Sequence, residues 1–130
     1  MLTYILDSDI LINHLRKKTR LQAYLGELQP ATRFGCSTMT VAEVFAGMRP
    51  AEETATRQLL EGLVHFPITS AIAEKAAEFQ RDFRKTGRTI SLADCMIAAT
   101  AILEKATLVT ANAKHYPMVP DKITQPLHSL

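Results

Sequence analysis

The chain reads as an α/β domain: a mainly parallel central β-sheet flanked by α-helices. Three observations predict this. Short β-like runs alternate with helix-length stretches from one end of the sequence to the other. The first and last clear runs, residues 3–6 and 107–110, are short and apolar, as buried strands are. The 130 residues suffice for one domain spanning 1–130, with no linker, repeat or low-complexity run to divide it.

Taken in order, residues 3–6 (Thr-Tyr-Ile-Leu) read as a strand, followed by helices over 9–16 and 19–28, and Gln29-Pro30 breaks the pattern. Residues 34–38 read as a second strand. Thr40 to Gly47 reads as a short helix ended by glycine and then Pro50. Residues 51–63 are helical, with Leu59, Leu60 and Leu63 on one face. The run from Val64 to Ile68 contains Pro67 and so predicts an edge strand. In residues 70–86, Ile72, Ala76, Phe79 and Phe83 recur at helical spacing, and Gly87 stops that helix. Residues 92–104 form a nearly all-apolar helix, which places it centrally. After the strand at 107–110, the tail from Pro117 carries three prolines and one short strand near Ile123. Phe66, Phe79, Phe83 and Met48 read as core or interface, with core the safer reading for any one of them.

Hydrophobic residues make up 47% and charged residues 22%, the balance of a globular domain that needs no covalent staples. Cys36 and Cys95 lie in apolar surroundings without metal-ligand spacing, which predicts buried thiols and suits a reducing cytoplasm. The N-terminus lacks a basic region, and Asp7 and Asp9 interrupt its apolar stretch, so neither a signal peptide nor a membrane span is expected. The net charge of +2 does not imply nucleic acid. Its distribution says more: Arg16, Lys17, Lys18 and Arg20 form one basic cluster, and Arg81, Arg84, Lys85 and Arg88 another. Each is either a solvated helix end or a phosphate-steering patch.

Four acidic residues stand out. Asp7 follows the first strand directly, where a solitary carboxylate is costly unless solvated or paired. Asp9 is two residues on. Glu43 and Asp94 fall near predicted helix starts, where the helix dipole favours the ionised form. Each acid also has an ordinary explanation. Thr40-Val-Ala-Glu43 and Ser91-Leu-Ala-Asp94 have capping-box spacing, and Asp9 suits a helix cap. As a set, they belong at the carboxyl ends of parallel strands, where α/β folds build sites. Close carboxylates repel, and a bound cation removes that repulsion. The separations, 36 residues from Asp7 to Glu43 and 51 from Glu43 to Asp94, exclude a local calcium loop.

Four segments carry a resemblance: Tyr4-Ile-Leu-Asp7-Ser-Asp9-Ile-Leu-Ile12, Ser37-Thr-Met-Thr40-Val-Ala-Glu43-Val, Ser91-Leu-Ala-Asp94-Cys-Met-Ile-Ala-Ala99 and Leu108-Val-Thr110-Ala-Asn112. In this order they resemble the successive motifs of PIN-domain ribonucleases, and most of all the VapC toxins of bacterial VapBC toxin–antitoxin pairs. The resemblance runs from the first strand to about Tyr116. It implies a PIN fold and a Mg²⁺-dependent endoribonuclease, with Mn²⁺ as a substitute ion and Asp7, Glu43 and Asp94 as both metal-site and catalytic residues. It further implies a VapB-like antitoxin that covers the acidic site, and a homodimer. Asp9 falls where many relatives carry Asn, and reads as a supporting ligand or a cap. Relatives often have a further acid after the last strand, whereas this chain has Thr110-Ala-Asn112-Ala-Lys-His115-Tyr116. There Asn112 offers an uncharged amide oxygen, and His115 either contacts phosphate or caps a short helix. Three acids then serve one Mg²⁺, with a second arriving alongside substrate.

The expected chemistry is in-line hydrolysis of an RNA phosphodiester by water, without the 2′-hydroxyl, leaving a 5′-phosphate. Thr40, Thr110 and Ser8 are candidate supporting donors. Aromatics are only 6%, so stacking platforms for single strands are poor and a structured RNA is the expected substrate. Two other classes remain open. Leu6-Asp7-Ser-Asp9 has the D-x-D form of aspartate-nucleophile phosphatases, although Leu11 is not their Thr or Val and no later Gly-Asp pair follows. A catalytically silent RNA-binding module would share the core and the basic clusters without needing the acids.

Overall fold

The computed structural model describes residues 2–17 and 33–124. Five strands, β1 (Thr3–Leu6), β2 (Arg33–Ser37), β3 (Val64–Phe66), β4 (Thr107–Thr110) and β5 (Lys122–Thr124), form one sheet in the order β3-β2-β1-β4-β5. Every pairing is parallel. The helices are α1 (Ser8–Lys17), α2 (Thr38–Gly47), α3 (Glu53–Glu61), α4 (Ser70–Lys85) and α5 (Leu92–Leu103), with 3₁₀ turns at Pro50–Glu52 and Ala113–His115. The predicted helix over 19–28, its Gln29-Pro30 break, and Lys18 and Arg20 of the first basic cluster lie outside the described residues.

Side-chain alternation along β1 sorts the interior into two halves. Tyr4 and Leu6 face Ile10 and Leu11 of α1, Val44 of α2 and Leu60 of α3. Ile5 faces the other way, toward Ile97, Ala98 and Ala101 of α5 and Leu108 of β4. The opposite side of α5 presents Cys95 and Ala99 to Ile72 and Ala76 of α4. A helix covered on both sides is apolar all round, which explains the uniform composition of residues 92–103. Cys36 and Cys95 are buried free thiols, as expected. Phe66 is buried and Phe79 and Phe83 are partly buried in these clusters.

The predicted edge strand containing Val64 does lie at an edge, beside β2. Its Phe66 side chain crosses over Gly35, where a Cβ would sit 2.5 Å from Phe66 Cε2 and 2.6 Å from the Val64 carbonyl oxygen. Gly35 thus makes room for the β2–β3 pairing. Gly87, at φ +80°, adopts the left-handed conformation that ends the turn after α4.

Two helix starts differ from expectation. α2 begins at Thr38, not Thr40: Ser37 at the strand end accepts the Met39 amide at 3.0 Å and caps the helix with no loop between. α1 begins at Ser8, directly after Asp7, so Asp9 lies in its first turn and is not the cap. The stretch 51–63 divides into the 3₁₀ turn, closed by the Arg49 amide on Glu52 Oε1 at 2.7 Å, and α3. Among the described residues, no helix is long and apolar enough to cross a membrane.

Candidate active site

Chain order steps outward from β1 to β2 and β3, then returns across the sheet to β4 and β5. The direction reverses between β1 and β4, and such a reversal opens a crevice beyond the carboxyl ends of the two strands. Asp7 stands in that crevice. Its amide donates to the Val109 carbonyl at 2.9 Å, extending the β1–β4 pairing, and its own carbonyl accepts the Leu11 amide at 3.4 Å to open α1. The backbone is therefore held from both sides, and only the carboxylate projects.

Asp7 is buried, at 5% exposure of the residue. Its Oδ1 accepts the Ser8 amide at 2.8 Å, and its Oδ2 accepts Thr110 Oγ1 at 2.8 Å and Tyr116 Oη at 2.9 Å. Burial raises the pKa of Asp7; the bonds from Thr110, Tyr116 and Ser8 oppose the rise, and the charge of Asp94 adds to it. Thr110 in turn accepts the Asn112 amide at 3.0 Å. The last residue of β4 thus links the strand end, Asp7 and the following turn.

Asp94 lies in the first turn of α5, where Ser91 Oγ caps the helix by accepting the Asp94 amide at 3.1 Å. The expected return bond of a capping box is replaced: Asp94 Oδ1 lies 3.2 Å from Tyr116 Oη, and Oδ2 lies 3.5 Å from Nδ1 of the exposed His115. Asp9 Oδ2 accepts Asn112 Nδ2 at 2.7 Å, while its Oδ1 is buried without a hydrogen bond. Burial, and then the neighbouring charge of Asp7, push Asp9 up to about 6. Glu43 is in the second turn of α2. Burial raises its pKa, a bond from the Ser8 side chain opposes the rise, and Asp7 and Asp94 add to it. Its Oε1 is also buried without a partner.

The structure therefore brings Asp9, Glu43 and Asp94 each within electrostatic range of Asp7, with Ser8, Thr110, Asn112 and His115 bonded or paired to members of the set. Thr40 stands about one turn ahead of Glu43 on α2. It is fully buried, and its hydroxyl, like Asp9 Oδ1 and Glu43 Oε1, has no hydrogen-bond partner. Tyr116 was not anticipated from sequence, although its hydroxyl touches both Asp7 and Asp94. The available signal was a tyrosine in a strand-following turn, since a buried tyrosine hydroxyl nearly always finds a polar partner. Burial and the two carboxylates hold that phenol firmly protonated.

Among the described residues, no three His, Cys, Asp or Glu side chains form a ready-made metal cluster. The donor set nevertheless fits a hard cation. It is all-oxygen and multiply acidic, and two of its buried carboxylate oxygens, Asp9 Oδ1 and Glu43 Oε1, lack donors. The second basic cluster reaches the rim: Arg88 packs on the Phe83 ring and donates to the Lys114 carbonyl at 3.3 Å, next to His115. Arg81, Arg84 and Lys85 are exposed. In the first cluster, Arg16 is engaged with the Gly47 carbonyl at 2.8 Å and with Glu52 at 3.8 Å.

A parallel sheet in this strand order with clustered carboxylates at the β1–β4 crevice is the build of the PIN domain, and the model of that family matches residues 4–118. The chain is 35% identical over 114 residues to Ribonuclease VapC10 of Mycobacterium tuberculosis, covering 88% of this chain and 86% of the relative. It is 33% identical over 118 residues to Ribonuclease VapC19 of the same organism, covering 90% and 94%. The chain belongs to the PIN-domain family, in its VapC-type branch. Its fold is similar to that in a solved structure of VapBC2 from Rickettsia felis bound to a DNA fragment from their promoter, with a TM-score of 0.83 at 23% identity over 95% of this chain and 98% of that one.

Proposed function

We propose that this protein is a Mg²⁺-dependent endoribonuclease, the toxin of a type II toxin–antitoxin pair, with Asp7, Glu43 and Asp94 as its catalytic and metal-holding residues. The observation that carries the reading is the convergence of four carboxylates, from three stretches far apart in sequence, around Asp7 at the crevice between β1 and β4. Family membership at 35% identity to a named ribonuclease supports it. Residues 1–130 act as one domain, and the setting is cytoplasmic.

Asp7 Oδ1, Asp94 and Glu43 would hold the ion, with Asp9 and Asn112 as supporting oxygens. When bound, Mg²⁺ supplies charge that stabilises the phosphoryl oxygens and acidifies water, a role Mn²⁺ also fills. The residues do the rest. Thr110 and the Ser8 amide orient Asp7. Glu43, tied to Ser8, orients the attacking water in line with the leaving oxygen. His115 at the rim meets a flanking phosphate, and Arg84 and Arg88 add salt-sensitive affinity for the backbone. Attack by water leaves a 5′-phosphate, and the shortage of aromatics favours a structured RNA. The solved VapBC complexes support a VapB-like antitoxin as partner, and a homodimer is the expected assembly.

The test is incubation of antitoxin-free protein with labelled structured RNAs and Mg²⁺. Discrete cuts with 5′-phosphate ends, absent with EDTA, Asp7→Asn or Asp94→Asn, are expected. Intact RNA in the presence of folded, metal-loaded protein refutes the reading; release of inorganic phosphate from phosphomonoesters would favour the phosphatase instead.

A further inference from the structure

We infer that Tyr116 is a positioning residue of the acidic centre: its hydroxyl shares one proton between Asp7 and Asp94 and leaves a lone pair on Asp7 Oδ1 open to a cation. The inference rests on the reading of Asp7 and Asp94 as cation-holding residues and adds a residue to it.

The phenol is itself immobilised. Tyr116 is 0% exposed, and its ring packs in the cluster of Ile5, Ile97, Leu108 and Val119. Its amide donates to the Ala113 carbonyl at 3.0 Å, and its carbonyl accepts Lys122 Nζ at 3.0 Å and the Val119 amide at 3.1 Å. A ring fixed this way carries its hydroxyl to one place. There it lies 2.9 Å from Asp7 Oδ2 and 3.2 Å from Asp94 Oδ1. The two carboxylate oxygens can be no farther apart than the sum of those lengths, although they come from the end of β1 and the start of α5.

The lone-pair count gives the direction. A carboxylate oxygen accepts about two hydrogen bonds. Asp7 Oδ2 has two donors, Thr110 and Tyr116; Oδ1 has one, the Ser8 amide. The remaining lone pair is therefore on Oδ1, in an orientation set by the other three bonds. Asp94 Oδ1 receives only the longer arm of that one shared proton, at 3.2 Å, and Oδ2 has only the long contact to His115. Without the hydroxyl, both carboxylates gain rotational freedom and lose their common anchor. Supporting hydrogen bonds of this kind are worth about 10–100-fold in metal affinity.

Tyr116→Phe keeps the ring and removes only the hydroxyl. Mn²⁺ binding, followed by electron paramagnetic resonance of the free ion, is compared in the unaltered protein, Tyr116→Phe and Asp7→Asn. The expected result is about 10-fold weaker binding or more in Tyr116→Phe, with an unchanged circular dichroism spectrum. RNA cleavage should show a raised half-saturating Mn²⁺ concentration and recover much of its rate at saturation, a split that a merely structural defect would not give. Equal or tighter Mn²⁺ binding by Tyr116→Phe overturns the inference alone. No Mn²⁺ binding by the unaltered protein overturns the metal reading as well.

A second measurement needs no variant. The chain has no tryptophan, so tyrosine emission is readable. Mg²⁺ should change that emission with the midpoint found by calorimetry; calorimetric binding without any change in emission counts against the inference.

Discussion

Replacing Asp9 by asparagine isolates one carboxylate of the site and gives a signed prediction. Asp9 moves from its ordinary value of 3.8 to about 6 because it is buried and lies beside Asp7. A carboxylic acid whose pKa is raised by folding holds its proton more tightly in the native state. Its contribution to stability is therefore full below pH 3.8, falls as pH climbs through about 6, and above that is a constant penalty. Each tenfold gain in proton affinity is worth about 1.4 kcal/mol, so the whole displacement corresponds to about 3 kcal/mol. Asp9 keeps some contact with solvent, and screening reduces the figure to about 1–2 kcal/mol. Asparagine cannot ionise, and its amide oxygen still accepts from Asn112 Nδ2. In EDTA, urea unfolding of the two proteins should give similar stabilities near pH 4. Asp9→Asn should be about 1–2 kcal/mol more stable by pH 7.5, part of that arising from relief of Asp7. Mg²⁺ should narrow the difference by stabilising the unaltered protein. Parallel pH profiles in EDTA, or a variant that is less stable at pH 7.5 than at pH 4 by as much as the parent, would refute the assignment of the strain to Asp9.

Two further outcomes follow from the same geometry. Gly35→Ala drives a Cβ to 2.5 Å from Phe66 Cε2 and 2.6 Å from a backbone oxygen, so β3 must shift; a loss of about 1–3 kcal/mol in urea unfolding is expected, and neutral behaviour would show that Phe66 swings aside freely. The pair Arg84→Ala with Arg88→Ala, in an Asp94→Asn background without divalent ions, should bind RNA more weakly and with a shallower salt dependence, by about 0.7 in log–log slope for each phosphate no longer neutralised; an unchanged slope in filter binding would remove the second basic cluster from the RNA path.

Much of the architecture was legible because its signals are local. An apolar run of four residues before Asp7, helical spacing in 70–86 and Gly87 after it each depend on neighbours in sequence, and the structure places elements there within a residue or two. Helix starts were less legible. Ser37, Thr38 and Thr40 are all competent caps, and the choice of Ser37 follows from the absence of a loop after β2. That choice puts Thr40 inside the first turn of α2, about one turn ahead of Glu43. The acids could be picked out singly, since Asp7 follows a strand and Asp94 opens a helix. Tyr116 could not, because its significance is a contact 109 residues away from Asp7, set by the β1–β4 register and by the turn that follows β4.

The link between Asp7 and Thr110 spans 103 residues of chain. A polypeptide emerging from the ribosome presents Asp7, Asp9 and Glu43 early, but β1 has no β4 beside it until Thr107–Thr110 has been made. Contacts of such separation form late, after the loop between them has closed. A chain that stops short of Thr110 thus carries the acids without the frame that gathers them, so the acidic centre is a property of the folded sheet and not of any one segment.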